Sequence, residues 1–446
     1  VNPPGGVYFS RVIRLVLKPG RDESLRRRHP WVFSGAVASG SGDGSDGVAE
    51  IVSARGEPLG IGAYSPRSQI VARIWSFDGR RPGPDLFRER FAAAHRLRKE
   101  ILPPETTGYR AVNSEGDLCP GVLLDVFGEV GVMDLTTDGT ARWREALESV
   151  ARDVISPERL IVRESGPKRD RGDRAYGPAP ASVHRGDRAY GPAPAAVHRG
   201  DRAHGPAPAA VHRADGLPLP PGEGRGEGAD LVPFFENGLR FFADVSGGQK
   251  TGFFLDQREN RSRLRTLSRG KTVLDLFSYS GAFSVAALSG AASRAVDVDS
   301  SATALALAHE HRRANGFPVH DADFVRADVF EDVRRRVAAG EVWDVVVCDP
   351  PAFAKKRGDL QRAARGYQDV NRLAMSLVAP GGWLLTCSCS GLLDADLFQK
   401  IVFSASLEAG RTFQLVRRQG AGADHPVSVD CPEGEYLKGL WLVRSE

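Results

Sequence analysis

The sequence predicts a doubly wound α/β domain over its C-terminal half, preceded by a small β-rich unit and a small α+β unit. Three observations predict it. After Gly270, short apolar runs alternate with helical periodicities, at 272–277, 283–289, 294–298, 302–315, 324–328, 343–348, 367–377 and 383–388. That order suits a mainly parallel sheet with helices on both faces. Several of these strands stop at carboxylates or small polar residues, as strand ends facing a ligand crevice do. Before residue 165, by contrast, the strands are short and cut by Gly, Pro and Ser turns.

Taken in order, residues 12–17 alternate apolar and polar like a half-buried strand, and 51–52, 60–64 and 69–75 are further short strands. They define a β-rich domain at 11–84, after a loose leader at 1–10. A helix at 85–102 carries Phe87, Phe91, His95 and Leu97 near one face and ends at Pro103-Pro104. Strands at 109–113, 121–127 and 131–135, a helix at 140–155 and a strand at 159–163 give an α+β domain at 85–250. An insertion at 167–229 interrupts it. There a 14-residue unit, Arg-Gly-Asp-Arg-Ala-Tyr-Gly-Pro-Ala-Pro-Ala-Ser-Val-His, starts at Arg171 and recurs from Arg185 and Arg199. It has too few large apolar side chains to stack as a solenoid, so it reads as a disordered surface segment. RNA contact by its arginines is the rival reading. A strand at 240–245 and a helix at 256–267 lead into the domain at 251–446.

Bulk properties exclude several classes. Sixty Lys+Arg against 56 Asp+Glu leave a formal charge of +4 in 446 residues, too little by itself to prove a nucleic-acid partner. Five cysteines (Cys119, Cys348, Cys387, Cys389 and Cys431) include no Cys-x-x-Cys pair, against a disulfide framework or a zinc site, and no metal is expected. No signal peptide and no apolar run of membrane length is present, so a soluble cytoplasmic protein without a membrane partner is expected.

The chemistry is sought at the strand ends. The first ends Asp275-Leu276-Phe277-Ser278-Tyr279-Ser280-Gly281. A carboxylate followed by a tight turn and a helix suits a nucleoside-bearing cofactor, and the missing G-x-G-x-x-G argues against a dinucleotide. Phe277, Ser278, Ser280 and Gly281 are therefore cofactor candidates with Asp275. Asp299, 24 residues on, stands at the interval of a ribose-gripping carboxylate; Asp297 points the same way, and helix capping by Asp299 or Ser300 is the plainer alternative. Asp328 is placed either to meet the adenine amino group or to cap a helix. The fourth strand ends Asp349-Pro350-Pro351, where the prolines stiffen the exit and hold Asp349 and Pro350 at the cleft; Phe353 is placed to stack on an extruded base. A later strand carries Cys387 and Cys389. Cys389, farther out, is placed to attack C6 of a pyrimidine, while Cys387 reads as core.

With these residues in place, the chain resembles the bacterial large-subunit (23S) ribosomal RNA cytosine-C5 methyltransferases that carry an N-terminal PUA domain. The likeness covers all but 1–10 and 167–229. It rests on Arg28 to Ala36, Gly62 to Pro66, Lys250 to Arg258, Phe277 to Gly281, Asp349 to Pro351, Thr386 to Gly391, Asp424 to Pro426 and Glu435 to Gly439. The resemblance implies a Rossmann-like methyltransferase domain, S-adenosylmethionine as cofactor, ribosomal RNA as partner and Cys389 as nucleophile. It also implies that Phe254 and Gln257 help line the cofactor site.

Arg26, Arg27, Arg28 and His29, followed by Trp31, fit RNA-backbone contact with aromatic support. Asp349 is expected to hydrogen-bond the base edge. Where related RNA cytosine-C5 families place a second cysteine, this chain has Pro351, so the base that completes the reaction must be found elsewhere. A guanine-N7 or exocyclic-amine methyltransferase, and a non-catalytic RNA-binding assembly factor, are the alternatives. A monomer or homodimer is expected.

Overall fold

The computed structural model describes residues 12–165, 230–353 and 357–445. The expected leader and repeat insertion lie outside the described residues. The first unit contains β1 (Ile13–Leu17), α1 (Glu23–Arg26), β2 (Trp31–Phe33), β3 (Val37–Ser41), β4 (Val48–Val52), β5 (Pro58–Tyr64) and β6 (Ile70–Ser76). They form one sheet in the order β2-β6-β5-β4-β1-β3, antiparallel except for β1 beside β4. In β1 the apolar residues Ile13, Leu15 and Leu17 face a shared core, as the period-2 pattern demands.

The second unit contains α2 (Pro84–Ile101), β7 (Gly108–Asn113), β8 (Val122–Phe127), β9 (Val130–Leu135), α3 (Asp138–Ala141), α4 (Arg144–Val154) and β10 (Arg159–Glu164). Its sheet runs β10-β9-β8-β7. The helix expected at 140–155 is two helices. Thr137 caps α3 with a capping box, and Trp143 then leaves the helical path before α4 begins. Trp143 is drawn into an aromatic cluster, edge-on to Trp75 at 5.5 Å and to Phe87 at 5.9 Å. The Trp75 indole also donates to the Pro120 carbonyl at 3.1 Å, so this cluster joins the first sheet to the second.

A hairpin of β11 (Leu231–Glu236) and β12 (Leu239–Asp244) follows. Side chains of β10 hold residues 230–250 against it. Arg159 pairs with Asp230 at 2.7 Å, and Arg163 donates to the Lys250 carbonyl at 2.6 Å and to that of Val245.

The last unit contains α5 (Arg258–Leu267), β13 (Thr272–Leu276), α6 (Ala282–Ser289), β14 (Arg294–Asp299), α7 (Ala302–Ala314), β15 (Phe324–Arg326) and α8 (Val329–Ala338). It continues with β16 (Trp343–Cys348), α9 (Leu360–Ser376), β17 (Val378–Ser388), α10 (Ala395–Ala409), β18 (Phe413–Gln419) and β19 (Lys438–Arg444). The sheet order is β15-β14-β13-β16-β17-β19-β18, with β13 to β17 parallel and β19 antiparallel to both neighbours. The order reverses between β13 and β16, which opens the crevice expected of such sheets. Among the described residues no helix is long and apolar enough to cross a membrane.

The 420–437 connection ties this unit to the other two. Asp424 is fully buried; its Oδ2 accepts from the Arg110 amide at 2.9 Å and from Arg258 Nη2 at 3.0 Å. Its carbonyl accepts from Arg98 Nη2 at 2.8 Å, and Arg98 grips Asp117 through two bonds of 2.6 Å. Farther along, Glu433 meets His29 at 3.2 Å, and Cys431 packs on Trp31 and Ile70 of the first unit. Burial alone would raise the Asp424 pKa, but His425 and Arg258 outweigh it and hold the carboxyl well below the usual range. A depressed folded-state pKa gives stability that is present above the unfolded value and lost as pH falls. Asp424→Ala is therefore expected to lower the unfolding free energy by about 3–5 kcal/mol. Urea titration near neutral pH, repeated in acid, checks it: the difference between the two proteins should shrink as the pH drops through about 4.

Candidate active site

The carboxyl ends of β13, β14, β16 and β17 bring Asp275, Asp299, Asp349 and Cys389 to one rim of the sheet. Asp275 is almost fully buried within β13, and neither of its carboxylate oxygens has a partner. Burial raises its pKa well above the usual carboxylate range, and the charges of Asp297, Asp349 and Asp299 add to the effect. A buried carboxylate without a donor is unfavourable in the free protein. It is the signature of a place where a ligand supplies the donor or the positive charge.

The turn after β13 is bent sharply. Phe277, Tyr279 and Gly281 have φ of +61°, +47° and +67°. Left-handed backbone at two non-glycine residues is strained, and such strain clusters at ligand sites. Gly281 is required as glycine: a Cβ there would stand 2.7 Å from the Cβ of Ala308 and 3.2 Å from both Asp297 oxygens. The fully buried His311 holds the turn from below. Its Nε2 accepts from the Phe242 amide at 2.9 Å, so its Nδ1–H donates to the Ser280 carbonyl at 2.8 Å. Burial pushes its pKa down to about 4, consistent with a neutral ring. Ser278 Oγ is buried without a partner.

Asp299 accepts one bond on each oxygen, from the Tyr279 amide at 2.9 Å and the Ser301 amide at 2.8 Å. Lone pairs remain for a diol. The helix cap lies one residue beyond the positions expected from the sequence, since Ser301 Oγ accepts from the Ala304 amide. Asp297 is a structural anion, ion-paired with buried Arg312 at 2.6 Å. Asp328 caps α8: its Oδ1 accepts from the Glu331 amide at 3.1 Å, its other oxygen is not used by the cap, and β15 stops short at Arg326.

Gln257 is oriented by a chain of bonds toward Asp349. Trp441 Nε1 donates to Asn260 Oδ1 at 2.9 Å, Asn260 Nδ2 to Gln257 Oε1 at 2.6 Å, and Gln257 Nε2 to Asp349 Oδ2 at 2.8 Å. Burial and Asp256 push the Asp349 pKa up to about 6, against the pull of Lys250 and Gln257. Lys250 is clamped by Asp256 at 2.5 Å and lies 4.4 Å from the Phe254 ring centre; Tyr436 donates to the same Asp256 at 2.6 Å. Phe254 also packs edge-on to Tyr279 at 5.2 Å, which brings it to the β13 turn.

Cys387 is fully buried and Cys389 is half-buried. Burial and Asp349 push the Cys389 thiol up to about 11, and Lys250 opposes them. Pro350 is buried behind Asp349, and the half-buried Phe353 ring packs on Tyr367 at 4.6 Å.

The RNA-contact candidates divide. Arg26, Arg27 and Arg28 are exposed, but Arg26 is held by Asp22 at 2.7 Å and by Glu57. Trp31 must be corrected: it is 5% exposed and its indole donates to Glu115 at 2.8 Å, so its ring is not presented to solvent. His29 is half-buried against Glu433. Cys431, which has no evident constellation in the sequence, stands with His29 and Glu433, their ligating atoms all within 4.8 Å of one another.

The residues fit S-adenosylmethionine. Its positive charge would answer the unpartnered carboxylate of Asp275, its ribose diol suits Asp299, and the turn at 277–281 lacks the glycine fingerprint of a pyrophosphate site. Residues 223–431 match the S-adenosylmethionine-dependent methyltransferase family model, and 15–77 match a PUA-like domain. The chain is 40% identical over 433 residues to ribosomal RNA large subunit methyltransferase I of an Enterobacter species, covering 96% of this chain and 98% of that one. It is 39% identical over 435 residues to the protein of that name from Escherichia coli, with the same coverage. A methyltransferase structure from Streptococcus mutans superposes with a TM-score of 0.74 at 21% identity, over 96% of this chain and 99% of that one. Another, complexed with S-adenosylhomocysteine, gives 0.74 at 20% over the same shares. At that identity the likeness is one of fold.

Asp275→Asn should separate binding from stability. Burial raises the Asp275 pKa, so near neutral pH folding bears the cost of proton uptake there; asparagine removes that cost, and the free protein should melt higher, by about 2–4 °C for each kcal/mol relieved. Cofactor affinity should fall about 10- to 100-fold with the lost charged contact. Calorimetric titration and thermal melting check both; a lower melting point with unchanged affinity would make Asp275 structural.

Proposed function

Because this chain belongs to the ribosomal RNA large subunit methyltransferase I family, we propose that it methylates C5 of a cytosine in large-subunit ribosomal RNA through a covalent bond from Cys389 to C6. The observation that carries the choice of carbon is Cys389. Of the five cysteines it alone is not buried, and it follows the strand beside Asp349-Pro350-Pro351. Carbon 5 of cytosine is a poor nucleophile. A thiolate added to C6 makes it electron-rich, whereas a nitrogen target attacks through its own lone pair and needs no thiol.

The PUA-like domain docks the RNA, with Arg27 and Arg28 at phosphates, and the target cytosine is turned out of its stack into the cleft. S-adenosylmethionine, held by Asp275, Asp299 and the turn at 277–281, supplies an activated methyl group. Cys389 gives its proton to solvent and adds to C6 as the thiolate. Asp349, fixed by Gln257, shares its proton with N3 and so neutralises the charge that develops there. C5 takes the methyl group. Loss of the C5 proton then restores the double bond and expels the Cys389 thiolate.

Two outcomes test the reading. Cys389→Ala should lose methylation at least about 1000-fold and form no adduct with RNA containing 5-fluorocytosine. A variant that methylates at the normal rate would sink the covalent route, and bisulfite sequencing of the product checks the carbon target. The second outcome concerns pH. The active form needs an ionised thiol and a protonated Asp349, whose pKa values stand near 11 and 6. Between those values one fraction rises as the other falls, so kcat/KM should be flat from about pH 6.5 to 9 and drop about tenfold per unit below 6. Asp349→Asn removes the falling partner, and its kcat/KM should climb about tenfold per unit across the same range.

A further inference from the structure

We propose that Lys438 is the base that takes the C5 proton and so releases the methylated cytosine from Cys389. The inference rests on the covalent reading above and supplies the group that Pro351 cannot. Lys438 opens β19 and is paired in register with Ser388, the residue before Cys389. It is 8% exposed, and its Nζ donates to the Ser390 carbonyl at 2.7 Å, the residue after Cys389. The ammonium thus grips the segment that carries the nucleophile. Glu435 and Asp394 act on its charge, but among the described residues the bond that its ammonium makes is to a carbonyl and not to a carboxylate. A buried lysine with no carboxylate partner gives up its proton readily, because burial disfavours the charged form. Here burial lowers the pKa to about 8, with Cys389, Glu435 and Asp394 opposing.

Sheet order places Lys438 on the correct flank. The cofactor residues stand on β13 and β14, Cys389 follows β17, and β19 lies beyond β17 on the other side. Along the sheet, Lys438 and the cofactor residues thus stand on opposite sides of Cys389, as a donor and a base acting on the two faces of one ring would require. The step balances without another reactant. The neutral amine takes the C5 proton, the C5–H electron pair becomes the C5=C6 double bond, the C6–S bond breaks, and the sulfur leaves as thiolate. The new ammonium stands beside that thiolate and can return the proton to it.

Lys438→Arg gives the sharpest test, since arginine keeps a donor for Ser390 but does not lose its proton. The probes are unmodified bacterial large-subunit ribosomal RNA transcript carrying 5-tritiated cytosine, and methyl-labelled S-adenosylmethionine. The variant should complete one methyl transfer, accumulate a methyl-labelled protein–RNA adduct stable to denaturing gel electrophoresis, and release tritium at least about 100-fold more slowly. Lys438→Met should behave alike, and cofactor titration selects the folded variants. In wild type, single-turnover tritium release should rise with pH and level near 8. The inference falls if Lys438→Arg turns over within roughly threefold of wild type, if either folded variant loses the first methyl transfer, or if wild-type release is flat across that range. If Cys389→Ala still methylates, the covalent reading itself falls; if it is inactive while Lys438→Arg turns over, only the role of Lys438 does.

Discussion

The buried carboxylate of Asp424 is the constraint on which the site depends. Its Oδ2 accepts from the Arg110 amide of β7 and from Arg258 of α5, and its carbonyl accepts from Arg98 of α2. Arg258 follows Gln257 directly in the chain. Fixing that guanidinium therefore fixes the start of α5, and with it the amide that orients Asp349. Charges buried this deeply gain little over an apolar packing of the same volume, but they tolerate few alternative geometries. The interaction gives the methyltransferase unit one seating against the central unit, and the position of the Asp349 carboxyl follows from it.

The sequence made the strand ends legible because their pattern is local. An apolar run followed by a carboxylate and a turn is visible in a handful of residues, so Asp275, Asp299, Asp349 and Cys389 could be read off in order. What joins residues distant in the chain was not legible. Glu433 meets His29 across 404 positions, and Lys438 reaches Ser390 only because β19 returns beside β17. The Trp441–Asn260–Gln257 relay has the same origin. Trp31 misled because an aromatic after a basic run looks the same whether its ring stacks on RNA or closes a domain contact. The helix at 140–155 misled because its periodicity continues through Trp143, and only the pull of Trp75 and Phe87 reveals the break.

The cofactor rim shows the opposite economy from the Asp424 web. At Asp424 every charge is answered within the protein. At Asp275 none is, and the adjoining turn holds two non-glycine residues in left-handed backbone. The free protein carries this unfavourable arrangement because the surrounding sheet and His311 over-determine it. Binding a cationic ligand there removes the penalty, so affinity comes partly from relieving strain that folding has already imposed.

The anchoring of β10 has a consequence for how this chain can change over generations. Arg159 holds the Asp230 carboxylate and Arg163 the carbonyls of Val245 and Lys250, so residues 165 and 230 are tethered through these contacts. For a tethered segment, closure entropy grows only with the logarithm of length, about 0.6 kcal/mol for each doubling. Between two points held in this way, a change of chain length carries a small closure cost. The fold contains a permissive seam, where the chain can lengthen while the contacts that hold β10 to the β11–β12 hairpin stay as they are.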